Sequence, residues 1–203
     1  MIYIFEPSNH PEVSHLKSLL IHHDPAILLK KFTGHDVHIR EFKIVNQKLY
    51  KSASWLDGCG AGIDFSQGSN YIWLCICHEM AHIFLWGPPK WSDNEEIKKL
   101  LDQHSEYNPN DHYYRKYSYR FDYAVEQTIA FLLQAACEAE TGFLRSLDWG
   151  KWQDTLKLNG VLELARIFWE PWLKYLKELK PGSKIDGFIL NALKKFSDKK
   201  NKP

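Results

Sequence analysis

The spacing of hydrophobic residues divides the chain near residue 67. Before this point, short apolar stretches at residues 1–5, 37–45, 49–55 and 63–65 alternate with polar positions or stand between turn residues, which predicts β-strands. Between the first two strands, residues 11–22 place Val13, Leu16, Leu19 and Leu20 on one helical face. The helical pattern continues over residues 26–32 and ends at Gly34. Asn46-Gln47 is a plausible turn, so residues 49–55 are expected to return as the second strand of a hairpin with residues 37–45.

After residue 67 the apolar positions recur with helical spacing. The predicted helices cover residues 71–86, 93–104, 120–140, 149–158, 161–179 and 183–196, and Pro171 should kink or split the fifth of them. Strands in the first third followed by helices indicate an α+β fold. We expect one domain over residues 1–203, with a strand-rich part at 1–67, metal-site helices at 69–142 and C-terminal helices at 146–197.

The most informative motif lies in the helix predicted at residues 71–86. His78 and His82 are four positions apart and therefore share one helical face, where both imidazoles can reach the same ion. Zinc is bound by neutral imidazole nitrogens, usually with a third protein ligand and an open position for water. Glu79, one residue round the helix, is placed to act as a general base on that water. Because the flanking residues are almost wholly apolar, these three ionisable groups would be costly to bury without a metal.

A third zinc ligand must come from elsewhere in the chain. The candidates are His104, Glu106, His112 and Glu126, and the ligand preferences of zinc alone allow any of them. Glu126 is favoured because it interrupts an apolar helix, where an unpaired carboxylate is expensive. Asp122, and less strongly Asp64, are candidates to accept a hydrogen bond from the outer N–H of a ligating imidazole.

Composition and charge narrow the classes of partner. The net charge of +1 predicts no nucleic-acid partner, and the lysine-rich stretch from residue 174 onward is typical of a solvated face. The longest apolar runs are too short for a membrane span, and no signal peptide is evident at the start. Four cysteines without a Cys-x-x-Cys pair favour reduced thiols, and hence a cytoplasmic location.

Two segments resemble a known family. His78-Glu79-Met80-Ala81-His82 resembles the active-site helix of zincin metallopeptidases, and residues 125–133 (VEQTIAFLL) are similar to the glutamate-bearing helix of the gluzincin branch, as in small intracellular ImmA/IrrE-type members. The resemblance implies a small, mostly antiparallel N-terminal sheet packed on a central helix, followed by a helical C-terminal half. It also implies that residues 60–65 form an edge strand that binds extended peptide.

The same resemblance supports Glu126 as the third zinc ligand and implies that a tyrosine or histidine stabilises the oxyanion. Tyr119 and Tyr123 are the preferred candidates because they lie nearest the glutamate helix, while His112, Tyr113, Tyr114 and Tyr117 also qualify by position. The sequence thus predicts a zinc metallopeptidase acting on protein or peptide substrates. The alternative is a catalytically silent binding or regulatory domain in which zinc has a structural role.

Overall fold

Helices dominate the part of the chain that can be described. The computed structural model describes residues 1–36, 39–48, 53–54, 60–86, 93–107, 120–142, 149–158 and 160–200. Within these residues the strands are β1 (Ile2–Glu6), β2 (Glu41–Asn46), β3 (Ala53–Ser54) and β4 (Gly60–Ile63). The helices are α1 (Pro11–His22), α2 (Pro25–Thr33), α3 (Ser69–Trp86), α4 (Glu95–Gln103), α5 (Phe121–Glu140), α6 (Trp149–Leu158), α7 (Leu162–Glu178) and α8 (Ile185–Lys200).

The prediction of an α+β fold with a mostly antiparallel sheet is wrong, because the observed sheet is mainly parallel. Its strand order is β1-β2-β4-β3, and both long pairings, β1 with β2 and β2 with β4, are parallel. Two helices, α1 and α2, carry the chain back between β1 and β2, as a parallel pair requires. The expected hairpin is wrong because β2 pairs with β4, while the two-residue β3 is antiparallel to β4 instead.

The strand expected to be an open substrate-binding edge lies inside the sheet. β4 is bonded to β2 on one side and to β3 on the other, and all four of its residues are buried. Gly60 is required by a backbone neighbour, whereas the close neighbour of Gly62 is the end of the flexible side chain of Gln47. A Cβ atom at Gly60 would lie 2.5 Å from the carbonyl oxygen of Lys43, and one at Gly62 would lie 2.4 Å from Oε1 of Gln47. β4 is therefore an internal strand, and the prediction of a peptide-binding edge at residues 60–65 is wrong.

The core forms around α3. This helix is apolar on nearly every side and packs against α1, α2 and α5, with Ile72, Trp73, Ile76 and Met80 fully buried. One face of the sheet also joins this core through Phe5, Phe42, Ile44, Ala61 and Ile63. α3 is consequently held on several sides, which fixes the direction of the side chains it carries.

Several predicted boundaries are confirmed and others shift for local reasons. α1 and α6 have the predicted bounds. α2 is a separate helix because Asp24 caps it, with its Oδ1 atom accepting a hydrogen bond of 2.8 Å from the backbone of Ala26. α7 runs through Pro171 as one helix. In the part of the chain that the structure describes, none of the helices has the length and apolarity needed to cross a bilayer.

Candidate metal centre

The site lies where α3 and α5 pack side by side. His82 contacts Glu126, whereas His78, one turn earlier on α3, contacts Gln127 and the ring of Phe131, further along α5. The two helices therefore run antiparallel at this point. Burial is nearly complete, since His78, Glu79 and Glu126 are 7%, 4% and 3% exposed. The predicted residues His78, Glu79, His82 and Glu126 are thus brought to one buried helix–helix contact.

The two imidazoles face each other through one nitrogen each. Nε2 of His78 and Nε2 of His82 are 3.4 Å apart, and we call these two atoms the imidazole pair. Nδ1 of His82 donates to Oε1 of Glu126 across 2.5 Å, and Nε2 of Gln127 donates to Nε2 of His78 across 3.0 Å. With both imidazoles neutral, these hydrogen bonds leave lone pairs on the two facing nitrogens.

The surroundings shift the pKa values of the two histidines in opposite directions. Burial, followed by the charge of His82, lowers the pKa of His78 well below its ordinary value. Burial also acts to lower the pKa of His82, but the hydrogen bond to Glu126 and the charges of Glu126 and Glu79 outweigh it and raise that pKa. His78 is therefore kept neutral, as a metal ligand must be, whereas the raised pKa of His82 favours its protonated form, which must lose the Nε2 proton before that atom can bind an ion.

The imidazole pair fits zinc in both chemistry and spacing. Two nitrogens that are each about 2.0–2.1 Å from one tetrahedral zinc ion lie about 3.3–3.4 Å apart. The observed separation of 3.4 Å matches this spacing.

Glu126 occupies a different position from the one a third ligand needs. Its Oε1 atom lies on Nδ1 of His82, the nitrogen that points away from His78. Among the described residues, no group of three histidine, cysteine, aspartate or glutamate side chains is placed to hold a metal ion. The structure thus supplies two facing donor nitrogens and a carboxylate on the outer nitrogen of one of them, an arrangement typical of a carboxylate that orients a metal-binding imidazole without touching the metal.

Of the other sequence candidates, Tyr123 shares the helical face of Gln127, while the rest have other partners, are exposed or lie outside the described residues. Glu106 is exposed, and His104 packs between Phe121 and Phe196, with ring centroids 5.8 and 5.0 Å away. Asp122 is paired with Arg120 at 2.9 Å, and Asp64 accepts hydrogen bonds from Ser66. Tyr123 is half-buried one turn before Gln127 on α5 and therefore shares its face. The remaining candidates, Tyr119, His112, Tyr113, Tyr114 and Tyr117, lie outside the described residues.

Two residues of the site were not predicted from the sequence. Gln127 donates to the imidazole pair, and Phe131 packs its ring 4.4 Å from that of His78. Their spacing of four residues on α5 could have predicted that they contact the same neighbour, because such residues share one helical face. The sequence did not predict Gln127 as a site residue because a glutamine beside a glutamate is typical of an exposed helical surface.

Comparison of the chain with protein-family models, with curated proteins and with solved structures finds no match.

Proposed function

We propose that this protein is a zinc-dependent metallopeptidase, and one observation carries the proposal. The facing Nε2 atoms of His78 and His82 stand at the separation that a tetrahedral zinc ion requires, on a buried helix that also carries Glu79. The proposal depends on the motif and its geometry, and not on the fold, because the parallel sheet differs from the one that the family resemblance implied.

In this proposal His78 and His82 hold zinc through the imidazole pair. When bound, zinc polarises the scissile carbonyl group and lowers the pKa of a water molecule. Glu79 accepts the proton of the attacking water and later delivers it to the leaving amine. A structural zinc site has no need of such a carboxylate beside its ligands, so Glu79 favours hydrolysis over a purely structural role.

Glu126 is the predicted third ligand, and its position gives it a second possible role. As a ligand it would have to move from Nδ1 of His82 towards the imidazole pair. Where it stands, it holds the ring of His82 in place and fixes the tautomer that leaves Nε2 free for an ion. Replacement by alanine removes both roles, whereas Glu126→Gln keeps a hydrogen-bond acceptor for Nδ1 and offers zinc a much poorer ligand.

The substrate class and location follow the same reasoning. A general base beside two zinc ligands is suited to hydrolysis of the amide bonds of proteins or peptides. We propose the cytoplasm as the compartment because the described cysteines, Cys75, Cys77 and Cys137, form no disulfide with one another. Three of the four lysines of α8 pair with carboxylates on α4 and α7, including Lys194 with Glu96 at 2.6 Å and Lys200 with Glu163 at 3.2 Å. Those pairs leave α8 poorly suited to nucleic acid.

Burial of the site favours a second candidate function. Because His78 and Glu79 are only 7% and 4% exposed, zinc at this position could stabilise the contact between α3 and α5 without any turnover. The protein would then be a catalytically silent binding or regulatory domain. The two functions differ in one respect: the peptidase needs Glu79 for activity, and the silent domain has no activity to lose.

Metal analysis of the purified protein tests the proposal first. We expect about one zinc per chain in the wild type and in His15→Ala, an exposed histidine on α1, and much less in His78→Ala. Zinc retained in Glu126→Gln but lost in Glu126→Ala would assign Glu126 to the outer nitrogen of His82. Loss in both variants would make it the third ligand, and a well-folded wild type that binds no zinc would contradict the proposal.

A further inference from the structure

Gln127 contacts the nitrogen of His78 that faces His82. Its Nε2 atom is 3.0 Å from Nε2 of His78, which is itself 3.4 Å from Nε2 of His82. Glu126 and Gln127 are consecutive on α5 but contact different sides of the imidazoles. Glu126 reaches the outer nitrogen of His82, and Gln127 reaches the inner nitrogen of His78.

The amide group of Gln127 has unmet hydrogen-bonding capacity at this position. Its Oε1 atom is buried and has no hydrogen-bond partner. Its Nε2 atom donates to a lone pair that zinc would occupy, so zinc binding would remove this acceptor. Because an unpaired buried donor or acceptor is costly, both atoms of the amide need new partners once the ion is bound.

An extended peptide backbone supplies both partners, because the N–H and the C=O of one residue lie on the same side of an extended chain. Its carbonyl oxygen accepts from the N–H of an amide, and its N–H donates to the carbonyl oxygen of an amide. We propose that Gln127 is a catalytic residue that binds the substrate backbone beside the imidazole pair, with Nε2 donating to the scissile carbonyl oxygen and Oε1 accepting a backbone N–H. The proposal rests on the proposed zinc peptidase, and it specifies substrates with peptide N–H groups.

The hydrogen bond from Gln127 to the carbonyl oxygen becomes stronger as the reaction proceeds. When water adds to the carbonyl carbon, the carbonyl π electrons move to oxygen, and the proton lost by the water passes to Glu79. The developing oxyanion then accepts a stronger hydrogen bond from Nε2 of Gln127 than the neutral carbonyl does. Collapse of the tetrahedral intermediate re-forms the carbonyl and expels the amine, which takes the proton from Glu79.

Two variants and one control separate this role from a structural one. Gln127→Met preserves approximate volume and removes both polar atoms, while Gln127→Glu keeps acceptor oxygens and removes the N–H donors. The control is Gln153→Met, at a half-buried glutamine on α6. We expect all three to retain one zinc per chain, and both Gln127 variants to lose about 100-fold in kcat on a casein substrate, with a smaller change in KM.

A binding measurement makes the test independent of turnover. Acetohydroxamate carries a carbonyl oxygen and an N–H in one small zinc-directed molecule, and its dissociation constant can be measured by titration of the zinc-loaded protein. Loss of one neutral hydrogen bond should weaken its binding by about tenfold in Gln127→Met and not in Gln153→Met.

The outcomes distinguish the two proposals. Zinc binding with weaker acetohydroxamate affinity in Gln127→Met, but no wild-type hydrolysis, would support the role of Gln127 in binding and overturn the peptidase. Hydrolysis and acetohydroxamate affinity unchanged in Gln127→Met would overturn the role of Gln127 and leave the peptidase intact. Loss of zinc from Gln127→Met would make Gln127 part of the metal-holding set and overturn the proposal, as would a wild type that binds no zinc.

Discussion

At the scale of single residues, the site depends on the direction in which the nitrogen atoms of each imidazole point. Glu126 holds Nδ1 of His82, and this contact directs Nε2 towards His78. The negative charge of Glu79 is one of the causes that raise the pKa of His82. In the proposed site, the two ligands, the base and the orienting carboxylate have separate tasks, and each task can be removed alone.

Glu79→Gln should separate metal binding from catalysis. Glutamine keeps the size of the side chain but cannot accept the proton of water, so activity on casein should fall by about 10²–10⁴-fold. Zinc content should remain at the wild-type value because Glu79 is not a predicted ligand. Loss of zinc together with activity would place Glu79 among the ligands, and unchanged activity would exclude it as the base.

The residues of the site differ in how far the sequence could identify them. His78, Glu79 and His82 follow from a motif whose spacing on one helix has a direct geometric meaning. Glu126 followed from the cost of a buried carboxylate, and the structure places it at the imidazoles. Which nitrogen it contacts depends on the crossing of α3 and α5, a tertiary feature that periodicity does not encode.

At the scale of secondary-structure elements, one tight contact joins the end of α2 to the turn before α8. Gly34 ends α2 with a φ of +66°, and a Cβ atom there would lie 2.0 Å from the carbonyl oxygen of Ser183. Lys184 donates to the carbonyl oxygen of Gly34, and Tyr175 on α7 donates to that of Phe32 at 2.7 Å. Position 34 therefore requires a left-handed backbone conformation and has no room for a side chain, and glycine satisfies both conditions.

Gly34→Ala should destabilise the protein far more than the same change at Gly182. Gly182 also has a positive φ, +85°, but a Cβ atom there meets no atom within 4 Å. Alanine at Gly182 should therefore cost only the conformational strain, about 1 kcal/mol, whereas Gly34→Ala adds a backbone clash and should cost about 3 kcal/mol or more. Urea denaturation of both variants measures the difference, and equal losses would contradict the close contact.

The packing of α4 on α8 predicts a dependence of stability on pH. Burial, followed by the charge of Lys200, lowers the pKa of His104, whose Nε2 atom is buried without a hydrogen-bond partner. Because the unfolded chain binds this proton more readily, the contribution of His104 is complete above pH 6.5 and declines as the pH falls below it. His104→Gln should therefore lose less stability than the wild type between pH 7 and pH 5.5.

Denaturation of both proteins without metal, at several pH values, checks that prediction. Parallel pH profiles for the wild type and His104→Gln would show that His104 titrates normally in the folded state. The comparison is needed because His78 has a lowered pKa as well and contributes a decline of the same sign in both proteins.

At the scale of the whole molecule, the sequence predicted elements better than their arrangement. Helices such as α1 and α6 have the expected bounds because apolar spacing and nearby turn residues define them locally. Strand pairing is non-local. Adjacent apolar stretches suggested a hairpin, whereas β2 pairs in parallel with β4 and leaves β3 at the far side. The buried character of α3 was evident because it is apolar on nearly every side.

Zinc should stabilise the whole fold, because the imidazole pair lies inside the core contact between α3 and α5. An ion that binds the folded state alone, at a free concentration 100 times its dissociation constant, adds about 2.7 kcal/mol to the free energy of unfolding. For a chain of this length, that corresponds to a rise in Tm of about 5–10 °C. Thermal unfolding of the metal-free protein with and without added zinc measures the shift.

Two variants show whether such a shift comes from this site. His15→Ala should keep the full rise in Tm, since the imidazole of His15 is exposed on α1, whereas His78→Ala should lose most of it. The effect does not depend on turnover, so it tests the metal centre for the peptidase and for the silent domain alike. A rise that persists in His78→Ala would place the bound zinc elsewhere in the chain and leave the imidazole pair without a metal.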